Sequence, residues 1–149
     1  MIDEKLTGSI LQVFYKVHNA LGYGFIERIY HNAVILELVE REIRVETEKP
    51  IAVYYGSKIV GTFAADLVVE GRLILELKAK ESINTAHEAQ LVNYLRATDI
   101  ELGLLLNFGR KPEFKRKYFS NEKKRRTVGS FADTSLLGSL LKEDPPKSA

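Results

Sequence analysis

The chain has no cysteine and no tryptophan, and it has only one methionine and four prolines among 149 residues. Without cysteine there can be no disulfide bond and no thiolate metal site, so any bound metal must take oxygen or imidazole ligands. The N-terminal stretch MIDEKLTGSI is charged and lacks the apolar core of a signal peptide. No apolar run is long enough to span a bilayer. We therefore expect a cytoplasmic protein without membrane contact.

The length of the chain fits one domain, which at this size can bury a core without crosslinks. We expect residues 1–120 to form this domain and residues 121–149 to form a basic stretch and a C-terminal tail. Five apolar residues of the tail predict either a short docking helix or a disordered appendage: Phe131, Leu136, Leu137, Leu140 and Leu141.

Positive charge is concentrated in one segment, although the net charge of the chain is only +2. Between Arg110 and Arg126, nine Lys and Arg residues stand against two Glu, a local net charge of +7, while the rest of the chain carries −5. This asymmetry favours a polyanionic partner such as nucleic acid, and a solvated basic strand and tail is the alternative. The candidate nucleic-acid contacts are Lys115, Arg116, Lys117, Lys123, Lys124, Arg125 and Arg126.

Hydrophobic periodicity predicts an α/β fold. Segments with apolar residues at helical spacing are 3–21, 25–41 and 85–97, the last opened by a capping box from Thr85 to Glu88. Segments with strand-like patterns are 44–55, 59–69, 72–78, 102–108 and 114–119. The order ααβββαββ implies a mixed sheet flanked by helices, with 102–108 buried on both faces and 114–119 at the basic edge.

Charged residues stand in two neighbouring predicted strands: Asp66 in the first, and Glu76 with Lys78 in the second. Asp66 stands in an apolar run, where a lone carboxylate is costly unless it is compensated. Glu76 and Lys78 flank Leu77, so both point to one face of a strand. Such a pair of strands could hold Mg²⁺, which prefers oxygen ligands and keeps several waters. The alternative is a solvated Glu-x-Lys face and a hydrogen-bonded core aspartate.

The loop between these two strands decides whether the carboxylates share a face. A two-residue turn at Glu70-Gly71 would place Asp66 on the leucine face of the next strand. A three-residue loop that pairs Val68 with Arg72 would place Asp66 diagonal to Glu76. We predict the three-residue loop, or an equivalent bulge, with its glycine at positive φ.

The predicted helices carry further polar residues. Gln90 and Tyr94 share a helix face, as do Glu27 and Tyr30, and each pair alone fits ordinary amphipathic packing. None of the histidines has a partner at metal-ligand spacing, and they are interpreted as packing or capping residues, with the last a minor candidate for the site: His18, His31 and His87.

The segment Gly24–Tyr30, GFIERIY, matches the motif that names the GxxExxY proteins. Asp66, then Glu76-Leu77-Lys78, then Gln90–Tyr94 (QLVNY) resembles the PD-(D/E)xK nuclease superfamily, in particular its branch with a QxxxY helix. That branch includes phage lambda-type and recombination-repair exonucleases. The resemblance covers residues 8–119 and implies a restriction-endonuclease-like αβββαβ core with one added N-terminal helix. Ala65 stands where the superfamily name has proline.

The resemblance implies a role for each matching residue. Asp66 and Glu76 would bind the metal ion, together with the Leu77 carbonyl oxygen, and Lys78 would position or polarise the attacking water. Gln90 would support the site or contact the DNA backbone. Three more residues would support the site: Glu27, which in related nucleases can extend the metal site, Tyr30, and Tyr94, which would support Gln90 or stack near the substrate.

The sequence therefore predicts a Mg²⁺- or Mn²⁺-dependent enzyme that hydrolyses phosphodiester bonds, in DNA rather than RNA. A nuclease-fold module that binds nucleic acid or a partner protein without cleavage is the alternative. The sequence is compatible with a homo-oligomer.

Overall fold

The structure is a computed structural model and describes residues 3–124. The helices are α1 (Glu4–Leu21), α2 (Glu27–Glu40) and α3 (Thr85–Arg96). The strands are β1 (Val45–Tyr55), β2 (Lys58–Val69), β3 (Leu73–Lys78), β4 (Leu102–Phe108) and β5 (Pro112–Tyr118), and a 3₁₀ turn follows at Asn121–Lys123. The predicted order is confirmed. The last strand begins and ends earlier than predicted, at Pro112 and Tyr118.

The strands form one mixed sheet in the spatial order β1-β2-β3-β4-β5. Only β3 and β4 are parallel, and α3 makes the crossover between them. Every residue of β4 is buried, as predicted for a strand covered on both faces. The predicted α/β class is therefore confirmed, with an αβββαβ core that one additional helix precedes.

Helices α1 and α2 cover one face of the sheet, and α3 covers the other. The leucines of β3, beginning with Leu73, lie in the same buried cluster as Phe14 of α1 and Tyr30 of α2. Leu91 of α3 lies in a second cluster with Ile74. The alternation along β3 thus directs its leucines to one face and leaves Glu76 and Lys78 on the face towards α3.

The capping box predicted at Thr85–Glu88 is wrong by one residue. The side chain of Asn84 accepts a hydrogen bond from the His87 N–H at 2.9 Å, and the Asn84 N–H donates to His87 Nδ1 at 3.3 Å. Asn84 has extended backbone angles and so supplies the cap, while Thr85 is the first helical residue. His87 is therefore a capping residue, which is one of the two roles, packing and capping, that the sequence indicates for the histidines.

The loop between β2 and β3 has three residues, but they are Glu70, Gly71 and Arg72 rather than 69–71. Strand pairing runs from Val69↔Leu73 to Leu67↔Leu75, so the predicted Val68↔Arg72 pairing is wrong. Glu70 leaves the β2–β3 ladder because its N–H donates to the Arg44 carbonyl and its carboxylate accepts from the Arg44 N–H. Gly71 has φ +64°, as predicted, and Glu70 also has positive φ, +54°.

Two sequence-based predictions fall partly beyond this description. Residues 125–149, with the apolar segment of the tail and with Arg125 and Arg126, lie outside the described residues. The domain boundary at residue 120 stays a prediction. In residues 3–124, no helix combines the length and the apolar character that crossing a membrane would require.

Candidate active site

Asp66 and Glu76 face each other where β2 and β3 separate. The backbone pairing of these strands ends at Leu67↔Leu75. Beyond that point the carboxylates replace the backbone ladder: the Asp66 N–H donates to Glu76 Oε2 at 3.0 Å, and the Leu77 N–H donates to Asp66 Oδ2 at 2.9 Å. Each carboxylate is thus fixed by the strand that carries the other, which holds both oxygen pairs at the opening between the strands.

The strand itself is irregular at Asp66. Ala65 and Val68 both belong to the cluster beneath α3, although residues three apart on a regular strand face opposite sides. Across the sheet, the β1–β2 pairing omits Glu48 and Asp66, and Glu48 has φ +49°. A non-glycine residue in this region is uncommon and is often found at functional sites. The irregularity turns the aspartate out of the ladder and towards Glu76.

The electrostatics of the pair are those of a buried acid, Glu76, held against a partly buried one, Asp66. Glu76 is only 5% exposed. Burial, and next the charge of Asp66, raise the pKa of Glu76 to about 8, and the nearby Lys78 ammonium opposes this only in part. A divalent cation placed between the carboxylates would relieve both causes at once. The donor set therefore fits a hard, oxygen-seeking cation.

The ligand set that this chain offers is small. Among residues 3–124, no three Asp, Glu or His side chains come together as a metal-binding group. Two carboxylates and a main-chain carbonyl would leave the remaining positions to water, which Mg²⁺ retains readily. Glu27 lines a pocket of about 290 Å³ with Asp66, so it lies beside that aspartate without completing a metal-binding group of three side chains.

Lys78 lies at the end of β3, on the same face as Glu76 and beside Asn107 of β4. Asn107 is fully buried, and its amide holds the segment that leaves β3: Asn107 Oδ1 accepts from the Lys80 N–H, and Nδ2 donates to the Lys80 carbonyl, both at 2.9 Å. This clamp fixes the chain two residues after Lys78. Sequence reasoning missed it, and a polar residue within a wholly apolar strand was the available signal.

Gln90 and Tyr94 line one wall of a cleft of about 860 Å³ between α3 and the β1–β2 hairpin. Tyr94 stacks on Phe63 of β2, with ring centroids 4.1 Å apart. Burial raises the pKa of Tyr94 to about 12, and the charges of Glu76 and Asp66 add to the shift. The phenol therefore stays protonated at neutral pH and can donate a hydrogen bond. Gln90 is exposed to the cleft.

Tyr30, the tyrosine of the GFIERIY segment, is fully buried. Its hydroxyl donates to the Gly22 carbonyl at 2.6 Å and accepts from the Phe25 N–H at 3.2 Å. Its ring stacks on Phe108 at 4.4 Å. Tyr30 therefore fixes the chain between α1 and α2, and its supporting role in the site stays a prediction.

His31 reaches the site, which its interpretation as a packing residue did not foresee. It is 6% exposed, and its Nε2 lies 3.4 Å from the Asp66 carbonyl oxygen. On the other ring nitrogen, the Arg28 guanidinium donates to Nδ1 at 3.1 Å, and the same Arg28 bonds Glu48 at 3.0 Å. Because Nδ1 must accept from Arg28, the proton lies on Nε2 and points to Asp66. The histidine is placed to hold the backbone of Asp66.

The predicted basic contacts do not converge on the carboxylates. Lys117 pairs with Glu88 at 2.7 Å and lowers the pKa of that carboxyl. The Lys124 ammonium donates to two carbonyls ahead of β4, at the end of the sheet opposite the carboxylates, and burial lowers the pKa of Lys124. The side chains of Lys115, Arg116 and Lys123 are exposed.

His18, interpreted as a packing residue, bonds to the β4–β5 loop, with its Nε2 2.8 Å from the Gly109 carbonyl oxygen. Its ring also stacks on Phe108, with centroids 6.3 Å apart. His18 therefore fastens the end of α1 to the loop that follows β4, and it lies in no metal-binding group of the described residues.

An α/β domain whose separating strands present facing carboxylates and a Glu-x-Lys segment is of the nuclease type. The chain belongs to the PD-(D/E)XK nuclease superfamily, whose family model matches residues 4–117. No curated protein and no solved structure gave a significant match.

Proposed function

We propose that this protein is a Mg²⁺- or Mn²⁺-dependent nuclease of the GxxExxY type that hydrolyses phosphodiester bonds in DNA. The observation that carries the proposal is the reciprocal bonding of Asp66 and Glu76 across the opening between β2 and β3. A buried carboxylate held against a second, partly buried one destabilises the fold unless a proton or a cation compensates the charge. Such an arrangement is more readily explained by a metal-binding role than by stability.

The proposed ligands are the carboxylates of Asp66 and Glu76 and the carbonyl oxygen of Leu77. When bound there, a divalent cation would lower the pKa of a water ligand and stabilise negative charge on the phosphoryl group. Lys78 extends from the same strand face as Glu76, where its ammonium orients the water and balances the charge of the phosphate. The Asn107 clamp holds this part of the chain in place.

The substrate backbone is proposed to lie along the cleft between α3 and the β1–β2 hairpin. The Gln90 amide faces that cleft and can bond a phosphate or a sugar. The protonated hydroxyl of Tyr94 lies close enough to the carboxylates to feel their charge. On the sheet edge, Lys115, Arg116 and Lys123 are the exposed basic candidates, while Lys117 and Lys124 are engaged within the fold.

The test is cleavage of labelled single- and double-stranded DNA and RNA, with Mn²⁺, with Mg²⁺ and with EDTA. We expect metal-dependent hydrolysis of DNA that the Asp66→Asn variant lacks. The matched control is Asp99→Asn, the same change at an exposed aspartate ahead of β4. Hydrolysis that survives in Asp66→Asn, or in EDTA, would exclude this centre.

Lys78→Met tests the lysine separately. We expect it to keep the fold and the thermal response to Mn²⁺ but to lose cleavage, because the ammonium acts on water rather than in packing. Lys5→Met, at an exposed position of α1, is the matched control. Binding of nucleic acid by the wild-type protein without any cleavage would instead indicate a catalytically silent binding module. The cytoplasmic location stays a prediction.

A further inference from the structure

The loop between α1 and α2 exposes three large apolar side chains next to the candidate site. We call residues 22–26 the aromatic loop. Tyr23 is 42% exposed, Phe25 49% and Ile26 71%. Solvated apolar groups that cluster on a short loop often indicate a binding surface. Two aromatic rings among them favour a partner that offers flat, stackable faces.

The aromatic loop is held rigidly at both ends. The hydroxyl of Tyr30 bonds the backbone of Gly22 and of Phe25, so it closes the loop from beneath. Gly22 and Gly24 have φ of +73° and +118°, which L side chains rarely adopt. The exposed rings are therefore displayed on a fixed backbone, which lowers the conformational entropy that a ligand must remove on binding.

The loop lies between the end of β4 and the pocket at Asp66. Tyr30 stacks on Phe108, the last residue of β4, whose neighbour Asn107 pairs with Lys78. On the other side, Glu27 follows the loop directly and lines the pocket that contains Asp66. The aromatic loop therefore lies on the side of the sheet away from α3, directly before the residue of α2 that lines the pocket at Asp66.

A positive charge accompanies the rings. The guanidinium of Arg110, in the loop after β4, lies 4.9 Å from the centre of the Tyr23 ring. Arg110 is itself exposed, so it can face a phosphate while it covers one face of the tyrosine. Stacking rings together with a cation are the elements by which proteins hold single-stranded nucleic acids. A protein partner would need the apolar side chains but not this cation.

We propose that the aromatic loop stacks on unpaired nucleobases of a single-stranded nucleic-acid segment next to the phosphodiester at Asp66 and Glu76. This rests on the proposed function and narrows its substrate. In a duplex the faces of internal bases are covered by their neighbours, so the loop can reach only a single strand or a frayed end. Arg110 lies where the phosphate of the stacked nucleotide leaves the ring.

The experiment measures binding apart from cleavage. All variants are made in the full chain carrying Asp66→Asn, in EDTA, with short fluorescent oligonucleotides as single-stranded DNA, single-stranded RNA and blunt DNA duplex. We expect the single strands to bind more tightly than the duplex. Tyr23→Ala should weaken single-strand binding roughly five- to a hundredfold, the range of one lost base stack. It should leave duplex binding unchanged.

Further variants separate stacking from folding. Tyr23→Phe keeps the ring and should bind as the parent does, and Phe25→Leu keeps the apolar bulk but should bind weakly. Tyr118→Ala, with a similarly exposed ring at the opposite end of β4 and β5, is the matched control and should change nothing. A single strand that contains 2-aminopurine should lose fluorescence on binding to the parent and keep it with Tyr23→Ala.

Several outcomes would overturn the inference. One is equal affinity for single strand and duplex, and another is undiminished single-strand binding by Tyr23→Ala. A third is self-association of the protein that Phe25→Leu abolishes, because the loop would then be an interface between copies of the chain. Ring-dependent binding of RNA alone would support the loop and overturn DNA as the substrate. Ring-dependent binding by a wild-type protein that never cleaves would refute the proposed nuclease and leave this inference standing.

Discussion

At the scale of single residues, Glu76 should make the stability of the fold depend on pH. The folded carboxyl has a pKa of about 8, raised from an ordinary value of 4.5 by burial and by Asp66. Between pH 4.5 and about pH 8 the carboxyl is therefore protonated in the folded state and ionised in the unfolded state. In the metal-free protein, the contribution of Glu76 to the free energy of unfolding should be largest below pH 4.5 and should be lost as the pH rises to about 8.

The change is expected to be on the order of a few kcal/mol, because each pKa unit corresponds to about 1.4 kcal/mol. Thermal unfolding in EDTA between pH 5 and pH 8 measures this change in stability. Glu76→Gln is the reference, because its amide is neutral and does not titrate. The difference in melting temperature between the two proteins should narrow as the pH falls if Glu76 is the cause. Mg²⁺ should stabilise the wild-type protein most at the alkaline end, where no proton competes for the carboxylate. A parallel pH dependence in both proteins would contradict the assignment.

His31 acts on Asp66 through the backbone, so it is a positioning residue rather than a catalytic one. His31→Leu removes the donor to the Asp66 carbonyl and leaves the Arg28 guanidinium with only Glu48 as its acceptor. Partners that orient metal ligands contribute roughly ten- to a hundredfold to metal affinity or activity. We expect His31→Leu to raise the Mg²⁺ concentration needed for cleavage and to lower kcat by such a factor, with little change in KM.

His31→Gln tests whether the hydrogen bond, and not the bulk of the ring, carries this effect. The glutamine amide can donate to the same carbonyl, so part of the activity should return. Melting temperatures of both variants should be compared with that of the wild type. If the two variants lose activity equally, in proportion to their lost stability, His31 is only a core residue.

At the scale of elements, the sequence determined the helices and strands because their apolar periodicities are long and regular. The sequence predicted that Asp66 and Glu76 share a face of the sheet, but it did not predict the register that places them opposite each other. The register depended on Glu70, whose bonds to Arg44 connect it to the start of β1, and no local pattern reveals a contact between segments so far apart. The His31 contact was missed for the same reason, whereas Asn107, a polar residue in an otherwise apolar strand, did offer a local signal.

Substitutions at two glycines test whether the position of β3, which carries Lys78, matters for cleavage. At Gly109, a Cβ would lie 2.7 Å from the Lys80 carbonyl oxygen, which is main chain and cannot rotate away. Gly109→Ala should therefore displace the end of β3 and reduce cleavage by more than its loss of stability explains. Nuclease rate and melting temperature, measured on the same preparation, provide the comparison.

Gly71→Ala is the matched control. Its φ is +64° and nothing lies within 4 Å of the added Cβ, so only backbone strain is expected, about 1 kcal/mol. Cleavage by this variant should follow its stability. Equal ratios of rate loss to stability loss in the two variants would show that the contact at Lys80 does not position the site.

At the scale of the whole molecule, the basic edge strand lies two strands away from the carboxylates, because Glu76 pairs with Leu105 of β4 and Leu105 pairs with Lys115 of β5. Lys115 and Arg116 are exposed on β5, whereas Lys117 is paired with Glu88. A nucleic acid long enough to span the domain would contact both the edge and the site.

The prediction concerns salt. Replacing Lys115 and Arg116 by Ser should weaken binding of long nucleic acids on every sequence, and it should reduce the slope of log affinity against log salt by about one unit for each phosphate that these side chains neutralise. Lys58→Ser with Lys5→Ser, both exposed positions on other elements, is the control. An unchanged slope would mean that the edge is only a solvated strand that discourages edge-to-edge association.

The three-residue loop Glu70–Arg72 restricts how this chain can change length during evolution. Because the Glu70 carboxylate is bonded to the Arg44 backbone, we expect the loop to keep three residues. If one loop residue were deleted, Leu73, the first residue of β3, would have to take its place in the loop. Asp66 would then lie opposite an odd-numbered residue of β3 and turn towards the leucines, whereas insertion or loss of two would keep its orientation. Lineages that retain cleavage should therefore differ at this loop by even numbers of residues. A descendant with a single-residue gap there, and no compensating change in the strands, should lack the proposed nuclease activity.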